Sequence, residues 1–347
     1  MRTATAPTVR AALTALAVFA ATGCADDPGG PDGDGEPDDD ACVIAVVGSD
    51  YASTTIATLT EDGRRCRQDV INSGSRPPGV VTALSGDVVF PSTADPAGRL
   101  VLIDRYPNAV LTFATIDAAG ALAVDAQLSV ATGFSSNPHD VAFLGGGRAY
   151  VTRFASNLDP TPFEGDFDEG GDLLIIEVDA PGPAIVGRVD LRHLAGEEQG
   201  VALSPRPDRV AIVDGVVWVG LAHLSTYFDR GGPGLVAAVD PVADEVVEVV
   251  TLDGLENCGH VAAAPDGAGL WAGCAGVFAE GADSQRAHQG LAWIDTAVSP
   301  PAVTRVAEGV AFGWALAPLP DGRALVTEFG QQGGAPDRLL LVDRRGG

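Results

Sequence analysis

The chain has 347 residues, nearly half of them apolar, enough for one large repeat domain or two ordinary ones. Its net charge is -26, all its positive charge is arginine, and no basic patch offsets the acid. Such a surface repels phosphate backbones, which excludes nucleic acid as a partner.

Residues 1–23 read as a secretory signal peptide: a basic start (Arg2, Arg10), then an apolar run over 11–21 too short to span a bilayer. The run ends Ala21-Thr22-Gly23-Cys24, which resembles the bacterial lipobox, although Leu is commoner where Ala21 stands. The resemblance implies acylation of Cys24 as the new N-terminus. Read without it, the same residues fit ordinary cleavage near 21–25 with Cys24 incidental. Ala25 follows, not the Asp of inner-membrane retention, so the expected place is the outer membrane or cell surface. Residues 24–41 form an acidic tether too polar to bury surface and expected to be disordered. Within it Asp32, Asp34, Glu36 and Asp38 alternate as calcium ligands could, but a solvated spacer explains them more simply.

From Cys42 to the end, short Val-rich segments alternate with Gly, Pro and Asp turns, which predicts an all-β domain over 42–347. One unit runs 78–83, 87–90, 99–104 and 109–116. The next runs 140–144, 149–152, 172–179 and 184–190. A third runs 200–203, 216–220, 234–240 and 245–252, and a fourth 260–264, 269–274, 290–295 and 302–306. A fifth has 314–318, 324–327 and 338–343, while 43–47, 54–59 and 67–71 form an opening unit without its first strand. Four strands, A to D, recurring in this way predict a β-propeller of four-stranded blades. Six units are counted; shared chain ends would make five, and a further blade seven. A two-sheet sandwich would not explain the recurrence. Repeats of paired helices are excluded by unit length and by the absence of amphipathic helical pairs.

Ala149-Tyr-Val-Thr152, Ala324-Leu-Val-Thr327 and the Val/Ile-Asp ends of the third strands resemble the YVTN-repeat β-propeller family over 43–343. The family's Asn is replaced by Arg153 in one unit and Glu328 in another. The family spans many binding and surface roles, so the resemblance implies a fold and little about activity.

The A–B turns are short, whereas the B–C loops at 154–171, 221–233, 275–289 and 329–336 are long. Strands alternate direction, so these loops share one face with the starts of the A strands, and that face is the expected binding face. The residues expected at its channel mouth are His139, Asp140, Arg153, Gln199, His260, Trp314 and Glu328. They suit a small ligand or a metal, or they satisfy backbone groups of neighbouring blades at a crowded axis. Asp166, Asp168 and Asp172, spaced two and four apart around Gly170, suit an oxygen-ligand calcium site or a solvated acidic loop.

No nucleophile elbow, zinc-protease helix or phosphate-binding loop is present. Lactonase-like propeller enzymes carry an acidic and amide metal set in the channel, which Asp140, Gln199 and Glu328 mimic in part. Four cysteines remain beside Cys24. Cys258 and Cys274 face each other across a hairpin and predict a disulfide, or a zinc site with His260. Cys42 and Cys66 are the second expected disulfide, although a strand separates them. The functional expectation is an exported, monomeric lipoprotein, attached to the membrane through its lipid only. Its propeller binds a protein or small molecule on the long-loop face. A metal-dependent lactonase-like hydrolase and a structural surface component are the alternatives.

Overall fold

The computed structural model describes residues 19–20, 41–159, 167–179, 182–280, 282–330 and 336–345. Among them the chain forms six successive antiparallel sheets. The first contains β1 (Phe19–Ala20), β2 (Cys42–Ser49), β3 (Thr54–Thr60) and β4 (Arg65–Asn72); the second contains β5 (Val88–Val89), β6 (Leu100–Asp104), β7 (Val110–Ile116) and β8 (Leu122–Ser129). The third contains β9 (Pro138–Gly145), β10 (Arg148–Arg153), β11 (Asp172–Glu177) and β12 (Ala184–Asp190). A small side sheet follows, of β13 (Gly196–Glu198), β14 (Val201–Ser204) and β17 (Leu224–Ser225). The fourth main sheet contains β15 (Pro207–Val213), β16 (Val216–Leu221), β18 (Pro233–Asp240) and β19 (Glu245–Glu256). The fifth contains β20 (His260–Ala263), β21 (Gly269–Ala275), β22 (Gln289–Asp295) and β23 (Ala302–Glu308). The sixth has three strands, β24 (Phe312–Pro318), β25 (Arg323–Glu328) and β26 (Arg338–Asp343).

Side chains alternate faces along a strand, and here both faces of the inner strands are buried. On β10, Ala149 and Val151 pack toward the second sheet, while Tyr150 packs toward the fourth. On β21, Leu270, Ala272 and Cys274 meet the fourth sheet and Trp271 the sixth. Five apolar clusters therefore each join two consecutive sheets, from first–second to fifth–sixth. Each fully buried large side chain contributes roughly 1.5–3 kcal/mol. The result is all-β and propeller-like, each sheet resting face to face on the next. On β26, Leu340 and Val342 turn toward the fifth sheet, whereas Leu339 and Leu341 are 66% and 50% exposed on the other side.

Three strand assignments differ from the sequence reading. The opening unit, expected to lack its first strand, has one in β1, whose Phe19 and Ala20 pair with Ala45 and Ile44 although they fall within the expected signal peptide. Residues 78–83 form no strand, and the second sheet starts with the two-residue β5. Leu100–Asp104 is its second strand although it ends in Ile-Asp, and Leu122–Ser129 is its fourth. The first strand of the fourth sheet is β15, not residues 200–203, which lie in the β13–β14 hairpin. Both disulfides form: Cys42–Cys66 with Cα atoms 6.2 Å apart and Cys258–Cys274 with Cα atoms 4.0 Å apart. The second consumes both thiolates that a zinc site with His260 would need.

Candidate functional site

Three inner strands open in the same way. In each, a residue with positive φ (Asn137, Arg206, Asn257) precedes the strand. Its carbonyl accepts an N–H at the end of the second strand: Phe154 (3.2 Å) and Ala222 (3.0 Å), each just past it, and Ala275 (3.1 Å), its last residue. These contacts tie the inner-strand starts to the roots of the long loops at 154–171, 222–232 and 276–288. From the sequence, they are expected on one face by the alternation of strand direction alone. The equivalent residues that follow are His139-Asp140, Asp208-Arg209 and Gly259-His260, each ahead of a paired valine, Val141, Val210 or Val261.

They converge. His139 Nδ1 lies 2.7 Å from Asp208 Oδ1, across the junction of the third and fourth sheets. Arg209 donates to the His139 carbonyl at 3.1 Å and stands 3.9 Å from Asp208 Oδ1 and 4.0 Å from Asp140 Oδ1. Gly259 allows the next sheet this close, since a Cβ there would sit 2.6 Å from Asp208 Oδ2. His260 packs edge-on to Phe312 of the sixth sheet at 5.2 Å, and Phe312 meets Trp314 at 6.0 Å. The His139 ring stacks on Phe154, 4.2 Å between centroids.

Burial pushes the Asp208 carboxyl up, but attraction to His139, their hydrogen bond and the Arg209 charge outweigh it and bring it down to about 2. Burial lowers His139 despite Asp208. Burial, then the Arg209 charge, lowers His260 to about 3. Both imidazoles are therefore neutral at pH 7, and His139 donates Nδ1–H to an ionised Asp208. The linkage has a definite sign. Below the unfolded value of about 6.5 the unfolded chain takes up protons that folded His139 and His260 refuse, so stability is complete above pH 6.5 and falls as pH drops toward 3. Urea midpoints at about pH 7.5 and about pH 4.5 should separate clearly for the wild type and less for His260→Leu. Equal separation in both would contradict this account.

Asp140 has a different task. Its Oδ1 accepts the N–H of Ser92 (2.6 Å) and of Val141 (2.9 Å), and its Oδ2 that of Val210 (2.9 Å). One carboxylate thus binds backbone from the second, third and fourth sheets. Arg153 is fully buried and pairs with Asp172 through two bonds, 2.7 and 2.6 Å long, so it is a core clamp and not an exposed mouth residue. That pairing also takes Asp172 from the calcium set; Asp168 Oδ2 is buried without a partner, and Asp166 lies outside the described residues. Gln199 is the exposed tip of the β13–β14 hairpin, and Glu328 accepts from Arg338 Nε at 2.6 Å. The set Asp140, Gln199, His260 and Glu328 does not converge, and no group of three metal-ligating side chains occurs among the described residues.

A strand start at residue 200 leaves Asp208 and Arg209 out of the expected mouth. The signal was there: Pro138-His-Asp-Val-Ala142 recurs as Pro207-Asp-Arg-Val-Ala211. A separate cleft of about 470 Å³ lies between the first two sheets, lined mainly by apolar groups such as Ala45, Phe90, Val101 and Phe143, with Asp95 and Arg99 beside them. No residue of the mouth lines it.

No protein-family profile and no curated protein matches the chain. Among solved structures it is similar to hydrazine synthase from Kuenenia stuttgartiensis, at 11% identity over 82% of this chain and 73% of that one, with a TM-score of 0.53. Synechocystis apocarotenoid oxygenase aligns at 15% identity over 87% of this chain and 67% of its own, TM-score 0.47. A Lactobacillus plantarum protein aligns at 11% identity, 86% and 67%, TM-score 0.45. The likeness to the hydrazine synthase chain is one of fold.

Proposed function

We propose that this chain is an exported, lipid-anchored β-propeller of the YVTN-repeat type that binds a ligand at the mouth of its channel. The observation that carries the reading is the convergence of His139, Asp208, Arg209 and His260 from three consecutive sheets, on the end where the long loops begin. Polar, titratable groups gathered at one opening of a repeat protein suit recognition of a small molecule or a peptide end. In this reading six blades close into a ring, with the sixth sheet docking on the first and covering Leu339 and Leu341. Two disulfides fit an oxidising compartment, and Cys24 supplies the lipid anchor.

Binding is tested by a thermal-shift screen of small organic acids, amines and short peptides on the soluble domain from Ala41. A compound that raises the wild-type midpoint should lose most of its effect on the His139→Phe/His260→Phe variant. An unchanged shift in that variant would remove the mouth from the reading. Mass spectrometry of the mature N-terminus should find diacylated Cys24; an unmodified peptide spanning Cys24 would overturn the anchor.

A further inference from the structure

Arg206 precedes the innermost strand of the fourth sheet and is only 6% exposed. Its Nε donates to the Leu224 carbonyl (3.2 Å) and its Nη2 to those of Ser225 (3.0 Å) and Thr226 (3.4 Å). Its Nη1 has no hydrogen bond to a described residue, and no carboxylate among the described residues pairs with it. The guanidinium carbon lies 5.2 Å from the Phe154 ring centroid and 4.4 Å from that of Phe228. Desolvation pulls its pKa down to about 10.

A desolvated charge facing only neutral carbonyls is costly, and buried charges are normally paired. Clamping the loop does not require this one. At the equivalent position of the next sheet Asn257, also with positive φ, clamps its loop through a neutral amide that donates to Gly276 O at 3.1 Å. The charge of Arg206 therefore answers to something other than the loop. Its surroundings indicate what. Phe154, which stacks on Phe228 with 6.2 Å between ring centroids, also stacks on His139 of the mouth. Phe228 is 49% exposed, holds a left-handed φ of 59° that bulky residues rarely adopt, and sits beside Tyr227, 84% exposed.

We infer that Arg206, Phe154, Phe228 and Tyr227 form the anion subsite of the mouth, and that its ligand is a carboxylate carried on a flat aromatic frame. This rests on the binding reading above and adds the class of ligand. The carboxylate takes the unused Nη1, and the ring lies against the exposed aromatic side chains, with cation–π attraction already in place. A chain with a net charge of -26 repels phosphates and other multiply charged anions, so a single charge on an apolar body is the form that can approach.

The test is calorimetric titration of the soluble domain with 2-naphthoate, with neutral 2-naphthamide and inorganic phosphate as comparisons. Naphthoate should bind at least tenfold more tightly than either, and Arg206→Gln, whose amide nitrogen stands where Nε does and can still reach the Leu224 carbonyl, should abolish that preference. Phe228→Ala removes a half-exposed ring, leaves the buried guanidinium intact, and should weaken naphthoate at least fivefold, so it serves if Arg206→Gln does not fold. Equal binding of naphthoate and naphthamide, or full naphthoate affinity in either variant, would overturn the subsite. No binding of naphthoate overturns it too, yet leaves the mouth standing if another screened compound responds to His139→Phe/His260→Phe.

Discussion

Arg153→Met should lower the stability of the domain by about 3–5 kcal/mol, read as a fall in the urea midpoint with little change in slope. Arg153 and Asp172 are both 0% exposed and joined by two charge-assisted bonds of 2.7 and 2.6 Å. Arg153 also donates to the Phe167 carbonyl at 2.6 Å and to Thr132 Oγ1, and lies 5.2 Å from the Phe134 ring. It therefore fastens the loop after β10 to the segment ahead of β9 as well as filling the core. Methionine has comparable bulk but leaves Asp172 charged, buried and, among the described residues, within reach only of the Arg188 guanidinium, whose Nη1 is 3.8 Å away. That stranded charge, more than the lost attraction, is the cost. Removing both charges in Arg153→Met/Asp172→Leu should recover much of the loss, since a buried pair is often no better than well-packed apolar groups. A double variant as weak as the sum of its single parents would show that the two residues act separately.

Asp140→Ala should cost about 4 kcal/mol for a related reason. Three backbone N–H groups, of Ser92, Val141 and Val210, lose their acceptor in a site where Asp140 itself is fully buried. An orphaned buried donor costs roughly 1–3 kcal/mol. Because the donors belong to three different sheets, hydrogen exchange at Ser92 and Val210 should quicken together. Asp140→Asn should fall between, since its amide offers one oxygen and turns a donor toward the remaining N–H groups. A loss below about 1 kcal/mol in Asp140→Ala would mean that the carboxylate is not the clamp.

The repeat was legible because both faces of each inner strand are buried and the turns between strands carry Gly, Pro and Asp. Its phase was not legible everywhere. The second sheet opens with two paired residues, Val88 and Val89, while its fourth strand, Leu122–Ser129, places Asp125 and Gln127 among alanines. Neither has the weight of Val-Leu-Ile-Asp, so that segment drew the unit one strand out of step. Gln199 misled similarly: the β13–β14 hairpin imitates a strand start but belongs to a side sheet. Of the expected mouth, His139 and His260 meet around Asp208 and Arg209, which sequence spacing alone did not place there. Arg153 and Asp140 turned inward because the packed sheets have backbone and charge to satisfy. A single sequence shows which side chains are polar, not which of them the fold consumes.

Hydrogen exchange on the soluble domain, with and without a compound that raises its melting midpoint, tests the central claim most directly. The account predicts protection at residues 137–141, 206–210 and 257–261, the starts of three inner strands, together with the loop around Phe228. Protection confined to Cys42, Phe90, Val101 and Ile116, in the cleft between the first two sheets, would contradict it.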